Sequence, residues 1–471
     1  MNNNDKKRPP RAVRRPQNLN RGAAGYDSKR GANAPKNTRQ GTSENASNRP
    51  RVTMGAGGRR LAVGRNSEKG RAVVPRRENR ALAAVKREEE WQQEVERVRG
   101  GVDKLMLALV VLLVAFGALM VYSASYPSAM DEYGDSFYYL KKHLGFALAG
   151  GILMFVASMV PYTWYKKWGA IAAYLFALLL LIAVPFIGVT VKGAKRWINV
   201  AGINVQPSEI MKFAIVLILA WYIDKYREKM KERNGILGTY VRNTLLPLCF
   251  IGIAGGFVLL GKHLSGTFIV CAIGVAVMLV GGCHFIYTSV TALVAGLSAA
   301  VVYLMNNPYA LKRITTFTSE NANALAEDWQ TTQGVLAIGS GGLFGVGFSE
   351  SRQKFGYVSE AHNDFIYTIW CEELGFVGAV LLIGLFLLFI WRGYVIAMRA
   401  PDTFSMLTVF GITTQVALQA FLNMMVVCDI IPNTGISLPF FSYGGSSLLM
   451  LMLEMGIILS ISKQYYRKKS I

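Results

Sequence analysis

The stretch Phe355-Gly-Tyr-Val-Ser-Glu-Ala-His-Asn-Asp364-Phe-Ile-Tyr-Thr-Ile-Trp-Cys-Glu-Glu-Leu-Gly375-Phe opens as a polar loop and becomes, from Asp364, an apolar run that reaches Trp391. That run is long enough to cross a bilayer. Carboxylates at or inside a membrane are costly and default to a functional reading. Asp364 stands at the mouth of the run, beside Glu360 and His362, with Glu372 and Glu373 two turns further on. Taken alone, Asp364 has a blander reading, because aspartate often caps a helix N-terminus. Its spacing to Thr368 and Cys371/Glu372 puts polar groups on one helical face, where they line an inward groove.

Working outward, the same apolar pattern recurs. Ten candidate spans cover about 104–124, 142–161, 167–189, 208–224, 243–261, 264–281, 285–305, 364–391, 405–428 and 444–462. The chain is 52% hydrophobic and only 17% charged, against about 25% charged for a soluble protein. The expected fold is an all-α polytopic membrane protein of ten transmembrane helices. Its long extracellular loop, 306–363, separates spans 7 and 8. Lysines and arginines cluster in the N-terminal tail, at 166–167, 225–233, 392 and 399, and at 463–469. By parity all of these fall on one side, which positive-inside bias makes the cytoplasm, with both termini there.

Residues 1–100 hold 25 Lys+Arg against 10 Asp+Glu. Residues 1–77 lack the apolar clusters a core needs and are expected to be a disordered basic cytoplasmic tail. Residues 78–103 read as a juxtamembrane helical segment, 104–463 as the membrane domain and 464–471 as a basic cytoplasmic C-terminus. An anionic inner leaflet or a cytoplasmic protein suits the tail better than nucleic acid, since no nucleic-acid module accompanies it. The five cysteines lie in or beside apolar runs with no paired spacing, and read as small buried hydrophobes. The four histidines are scattered without HExxH spacing, so zinc chemistry is not indicated.

Four further stretches carry polar chemistry. The outer loops hold Lys192, Lys195, Arg196, Lys262, Lys312, Arg313, Arg352 and Lys354, against the positive-inside bias, which suggests an anionic ligand approached from outside. Gln206-Pro-Ser-Glu209-Ile-Met-Lys212 opens the fourth span and places Glu209 and Lys212 on one face, as a structural pair or a catalytic one. Gly334–Phe348 is glycine-rich and too short to cross, and fits an interfacial or re-entrant piece packed on protein. Pro432–Ser447 is punctuated by Pro, Gly and Ser and should form a rigid turn whose hydroxyls, Ser442 and Ser446 among them, line a polar cleft.

Gly193-Ala-Lys-Arg196-Trp-Ile, Gln206-Pro-Ser-Glu209, Ala337-Ile-Gly-Ser-Gly-Gly-Leu-Phe-Gly345, Glu360-Ala-His-Asn-Asp364-Phe and Leu438-Pro-Phe-Phe-Ser-Tyr-Gly-Gly-Ser-Ser447 together resemble the SEDS family (shape, elongation, division and sporulation). The match covers roughly residues 104–463, and the tail and Tyr122-Ser-Ala-Ser125 look closer to its FtsW/SpoVE branch than to RodA. One departure is Lys262-His-Leu-Ser-Gly266-Thr, where many members carry an acidic residue.

The resemblance implies a ten-span glycosyltransferase that polymerises lipid II, with Asp364 at the family's essential aspartate. Asp364 would accept the proton of the attacking hydroxyl as general base. The leaving pyrophosphate would be met by Arg196, Lys312 and Arg313, or by a divalent cation (Mg2+ or Mn2+), with no certain cofactor. Glu360, His362, Ser442 and Ser446 are expected near substrate, and Glu209, Lys212 and Glu372 in a polar network. The implied partners are a class B penicillin-binding protein, since no transpeptidase domain is evident here, and other division proteins. A lipid II flippase and a non-catalytic scaffold are the competing readings.

Overall fold

In the computed structural model the chain divides into two units, Met1–Val73 and Val74–Ile471. The described residues are 95–191, 194–200, 202–231, 235–307, 311 and 329–468, all in the second unit. The tail expected to be disordered and the basic pair Lys312 and Arg313 lie outside them.

Eleven helices account for most of the described chain: α1 (Lys104–Tyr133), α2 (Tyr138–Met159), α3 (Tyr162–Ile187), α4 (Pro207–Lys231), α5 (Leu237–Leu260), α6 (Leu264–Val280), α7 (Phe285–Asn306), α8 (Trp329–Ser340), α9 (Ile366–Met398), α10 (Thr403–Val427) and α11 (Gly445–Ser462). Each of the ten expected spans falls on one of them. Eight are long and apolar enough to cross a membrane; α6 is apolar but shorter, and α4 carries more charge.

Helix α4 is central. Met211 to Leu219 are all buried, and the helix packs against α3, α6 and α10. At the other extreme α7 buries only Thr288 and turns Leu293, Leu297 and Val301 outward. A face that apolar on the outside is what lipid contact requires.

The ends of the helices sort by partner. Asp103, Arg392 and Ser462 meet at one end of the bundle: Arg392 donates to both Asp103 carboxylate oxygens, and the Asp103 amide donates to Ser462 Oγ. Lys166 joins Asp224 at 2.7 Å and Asp402 at 3.0 Å. Residues assigned by parity to the opposite side also find one another, as Ser265 with Thr434 and His362 with Tyr443.

Asp402 caps α10, accepting from the Ser405 amide at 2.8 Å while Ser405 Oγ accepts from the Asp402 amide. Burial pushes its carboxyl up, but the bonds from Ser405 and Lys166 together outweigh that and hold it below the usual carboxylate range. A depressed folded value means the contribution is complete above the unfolded value near 4 and is lost as pH falls through the folded one. Asp402→Ala is expected to cost about 1–2 kcal/mol, read as a lower unfolding midpoint in detergent near neutral pH. The difference should shrink in acid.

Helix α9 is broken at Gly375, whose φ of 64° and ψ of −161° are not helical. The break frees the carbonyls of Glu372 and Glu373, which accept from the amides of Val346 and Gly347. In return the amides of Phe376 and Val377 donate to Gly342 and Leu343. The glycine-rich stretch expected to be re-entrant is thus a helix, α8, followed by a segment docked into this break. A Cβ on Gly341 or Gly345 would sit 2.1 Å from a backbone carbonyl oxygen of α9, and Gly345 also has φ +82°. Gly345→Ala is therefore expected to destabilise by about 2–4 kcal/mol, and thermal unfolding in detergent measures it.

Three expectations are corrected. The chain is not all-α: the loop before α4 is a three-stranded antiparallel meander, β2 (Val189–Val191), β3 (Ala194–Val200) and β4 (Ile203–Val205). Valine, threonine, tryptophan and isoleucine at close spacing, turned at Gly202 (φ +82°), favour strand over coil. Of the helix expected over 78–103, residues 78–94 lie outside the described residues and Val95–Arg99 is instead a strand, β1, paired antiparallel with β5 (Gln464–Lys468); each segment supplies the other's ladder. All five cysteines are free thiols, but Cys249 and Cys428 are exposed rather than buried.

Candidate active site

Helix α9 begins at Ile366, and Phe365 occupies its cap position without a side-chain cap bond. Asp364 stands one residue before that position, so it does not occupy the N-cap itself. The residue is half-buried. Its carbonyl accepts from Asn423 Nδ2 at 2.7 Å, and the same nitrogen donates to the Ile436 carbonyl at 2.7 Å. One amide group on α10 thus clamps the loop before α9 to the loop before α11. The Asp364 carboxylate lies against Gly435 (φ +64°), where a Cβ would stand 3.3 Å from Oδ2.

The loop side chains around it are tied to one another. Glu360, itself at φ +60°, accepts from the Asn363 side chain and holds the Asn363 amide at 2.9 Å. The His362 ring packs on Tyr139 at 4.5 Å between centroids, and its carbonyl accepts from the Tyr443 amide at 2.9 Å. Ser442 Oγ accepts from the Leu438 amide at 2.7 Å and closes the turn in which Phe440 takes φ +65°. Ser446 is buried in the first turn of α11.

A second polar group opens α4. Lys212 and Glu209 form a buried pair at 2.8 Å, and Ser447 Oγ donates to Glu209 at 3.1 Å. His263 Nδ1 lies 3.2 Å from Gln206 Nε2 and 3.1 Å from Ser208 Oγ. Burial, with the nearby charges of Arg196 and Lys212, pushes His263 down to about 3. The ring is therefore neutral at ordinary pH, and its Nδ1 can accept from these neighbours. Arg196, on β3, shares with Ser208 and His263 one end of a cavity of about 270 Å3 whose other walls are apolar, among them Leu181, Pro185 and Phe257. Ser265 Oγ donates to the Thr434 carbonyl, one residue from Gly435. Through that bond the Arg196 group and the Asp364 group are contiguous.

Some expected members are elsewhere. Glu372 does not line a groove: it accepts from Ser351 Oγ and from the Arg352 amide and anchors the 349–354 loop. Lys354 is buried against Glu373 at 3.1 Å, and Lys195 donates to the Pro185 carbonyl at 2.6 Å, so these two cations are committed within the protein. Asn423, His263 and Tyr139 were not foreseen. Asn423 had a signal: Gln415, Gln419 and Asn423 interrupt an apolar run every four residues, which puts them on one buried face. Gln415 Nε2 donates to Glu454, also buried.

Among the described residues, no three His, Cys, Asp or Glu side chains gather to hold a metal ion. Magnesium sites commonly use one or two carboxylates and take their remaining ligands from substrate phosphate and water.

Known proteins resemble this chain over the same region. Residues 103–467 match the model of the cell cycle protein family of FtsW, RodA and SpoVE. A probable peptidoglycan glycosyltransferase FtsW of Geobacter sp. (strain M18) is 38% identical over 365 residues, covering 77% of this chain and 97% of that protein. Stage V sporulation protein E of Bacillus subtilis (strain 168) is 36% identical over 77% of this chain and 97% of its own. Among solved structures, the rod shape determining protein RodA of Thermus thermophilus superposes with a TM-score of 0.56 at 25% identity, covering 77% of this chain and 96% of that one. A chain of a peptidoglycan synthase complex, described for its coordination of polymerization and crosslinking, gives a TM-score of 0.61 at 24% identity, covering 77% and 97%. Helices that match the expected spans, motifs brought to one end of the bundle and a family match across the whole helical region converge: the chain belongs to the FtsW/RodA/SpoVE family.

Proposed function

We propose that this protein is a peptidoglycan glycosyltransferase that polymerises lipid II at the outer face of the cytoplasmic membrane, in the cell-division branch of its family. The observation that carries the reading is Asp364: a half-buried carboxylate at the mouth of α9, set against Gly435 and on a loop fixed by Asn423. Counting α4 and α6 with the eight helices that are both long and apolar enough gives ten spans, with both termini cytoplasmic by the positive-inside rule.

In the reaction, a hydroxyl of the acceptor sugar gives its proton to an Asp364 carboxylate oxygen as it attacks the donor's anomeric carbon. The bond from that carbon to the pyrophosphate oxygen breaks, and its electron pair leaves with undecaprenyl pyrophosphate. A single displacement inverts the α-linked donor to a β-linked product. Arg196 meets the developing negative charge, where a fixed cation away from bulk water is worth most. Glu209–Lys212 holds the floor of the site as a neutral pair. Both substrates are lipid-anchored, which accounts for a site at the outer ends of membrane helices. A class B penicillin-binding protein supplies cross-linking.

The test uses detergent micelles, where no bilayer separates two faces. Purified with its class B partner and given lipid II, the wild type should yield glycan polymer on a gel. Lipid II crossing vesicle membranes with no polymer formed would instead establish the flippase. A scaffold would make neither, and its function would be lost on deletion of residues 1–77 but not on Asp364→Ala.

A further inference from the structure

A row of aromatic rings leaves the Asp364 loop and is not used in the chemistry above. His362, two residues before Asp364, packs on Tyr139, which meets Tyr443 edge-on at 5.0 Å. Tyr139 in turn meets Tyr138 edge-on at 5.3 Å and Tyr133 at 5.9 Å. Tyr133 and Tyr138 stack on each other at 3.7 Å with planes 11° apart. Tyr133, at the far end, is 49% exposed. Lys142 Nζ donates to the Tyr138 hydroxyl at 2.6 Å and sits 4.2 Å from the centroid of its ring.

Tyr133 is exposed while Tyr138, Tyr139 and Tyr443 are half-buried behind it, so the row leads from the Asp364 loop to an open ring, and its position says what that ring can meet. An interfacial tyrosine belt is the common alternative in membrane proteins. Helix α1, however, runs 30 residues, about 45 Å at 1.5 Å per residue, against a hydrocarbon core of about 30 Å. Its last turn, which carries Tyr133, also carries the exposed carboxylates Asp131 and Glu132, whose charge favours water over the hydrocarbon. The row also starts beside the carboxylate proposed as base, where any product strand must emerge. Tyr138 is covered by Tyr133 and Lys142 and holds the Tyr133 ring in place, while the outer, electron-rich face of Tyr133 suits the polarised C–H face of a pyranose.

We infer that Tyr443, Tyr139, Tyr138 and Tyr133 form a saccharide-binding track that holds the glycan strand as it grows and so sets its length. The inference rests on the glycosyltransferase reading and adds a substrate site to it. The test compares wild type, the Tyr133→Leu/Tyr138→Leu pair and the Tyr133→Phe/Tyr138→Phe pair, each with its class B partner. Chain length is read at matched lipid II consumption, and retention of soluble glycan oligomers is read on the immobilised complex. Loss of two stacking rings should weaken glycan retention about tenfold and shorten chains several-fold in the Leu pair, with the Phe pair restored toward wild type. Wild-type length and retention in the Leu pair would overturn the track and leave an aromatic belt. Short chains explained by loss of the class B partner would overturn it in favour of a protein-docking surface. No polymer from wild type would overturn the underlying reading and the track with it.

Discussion

Asp364→Asn is expected to leave the protein folded and bound to its partner, yet lower the rate of lipid II polymerisation by about 10²–10⁴-fold, the usual contribution of a general base. The substitution keeps the shape of the side chain and removes only its ability to take a proton. The main-chain clamp is untouched, because Asn423 grips the Asp364 carbonyl and not its carboxylate. The loss should therefore fall on kcat, with lipid II affinity changed only a few-fold, since an interaction made only in the transition state lowers kcat and kcat/KM together. A rise in KM at constant kcat would make Asp364 a binding residue. Asn423→Ala should behave differently: it frees two loops at once and is expected to lower kcat and stability together.

The second large effect lies away from the chemistry. Lys354→Ala is expected to destabilise the protein by about 3–5 kcal/mol. Lys354 Nζ is fully buried with Glu373, 3.1 Å away, and also donates to Ser123 and Ser349 while lying 4.8 Å from the centroid of the Tyr126 ring. Glu373 in turn accepts from Ser123 Oγ. The cluster ties the loop before the active site to α1 and to the broken turn of α9. Removing the lysine leaves a buried carboxylate without its cation, whereas replacing both charges by apolar residues of similar size removes that penalty. Lys354→Met with Glu373→Met should accordingly recover most of the loss in detergent unfolding midpoint. A double variant no more stable than Lys354→Ala would show that the hydroxyl and ring contacts, not the uncompensated charge, set the stability.

The helices were legible because membrane-spanning length and apolar composition are local properties of the chain. All ten ranges landed on helices, although α1 and α9 run well past the expected ends, since polar residues such as Asp131, Glu132 and Arg392 extend a helix without lengthening its apolar run. Asp364 was legible for a related reason: a carboxylate at the edge of an apolar run stands out against its background. Pairing was not legible. Nothing near Lys354 says that it is buried against Glu373 and Ser123, the latter 231 residues away in sequence, so it read as one more outward cation. The break at Gly375 was hidden because it is stabilised by amides and carbonyls of another segment, 342–347, whose glycines suggested close packing without naming what they pack on. Asn423 could have been found from its four-residue spacing to Gln419 and Gln415, but its two acceptors, at Asp364 and Ile436, are tertiary facts.

The most direct measurement is lipid II polymer formation by wild type, Asp364→Asn and Asp364→Ala, each purified with the class B partner and matched for folding and partner content. Polymer from wild type and from neither variant is the result expected of a glycosyltransferase that uses Asp364 as its base. Equal polymer from all three would contradict it, removing Asp364 from the mechanism and turning attention to Glu360, its neighbour on the same loop.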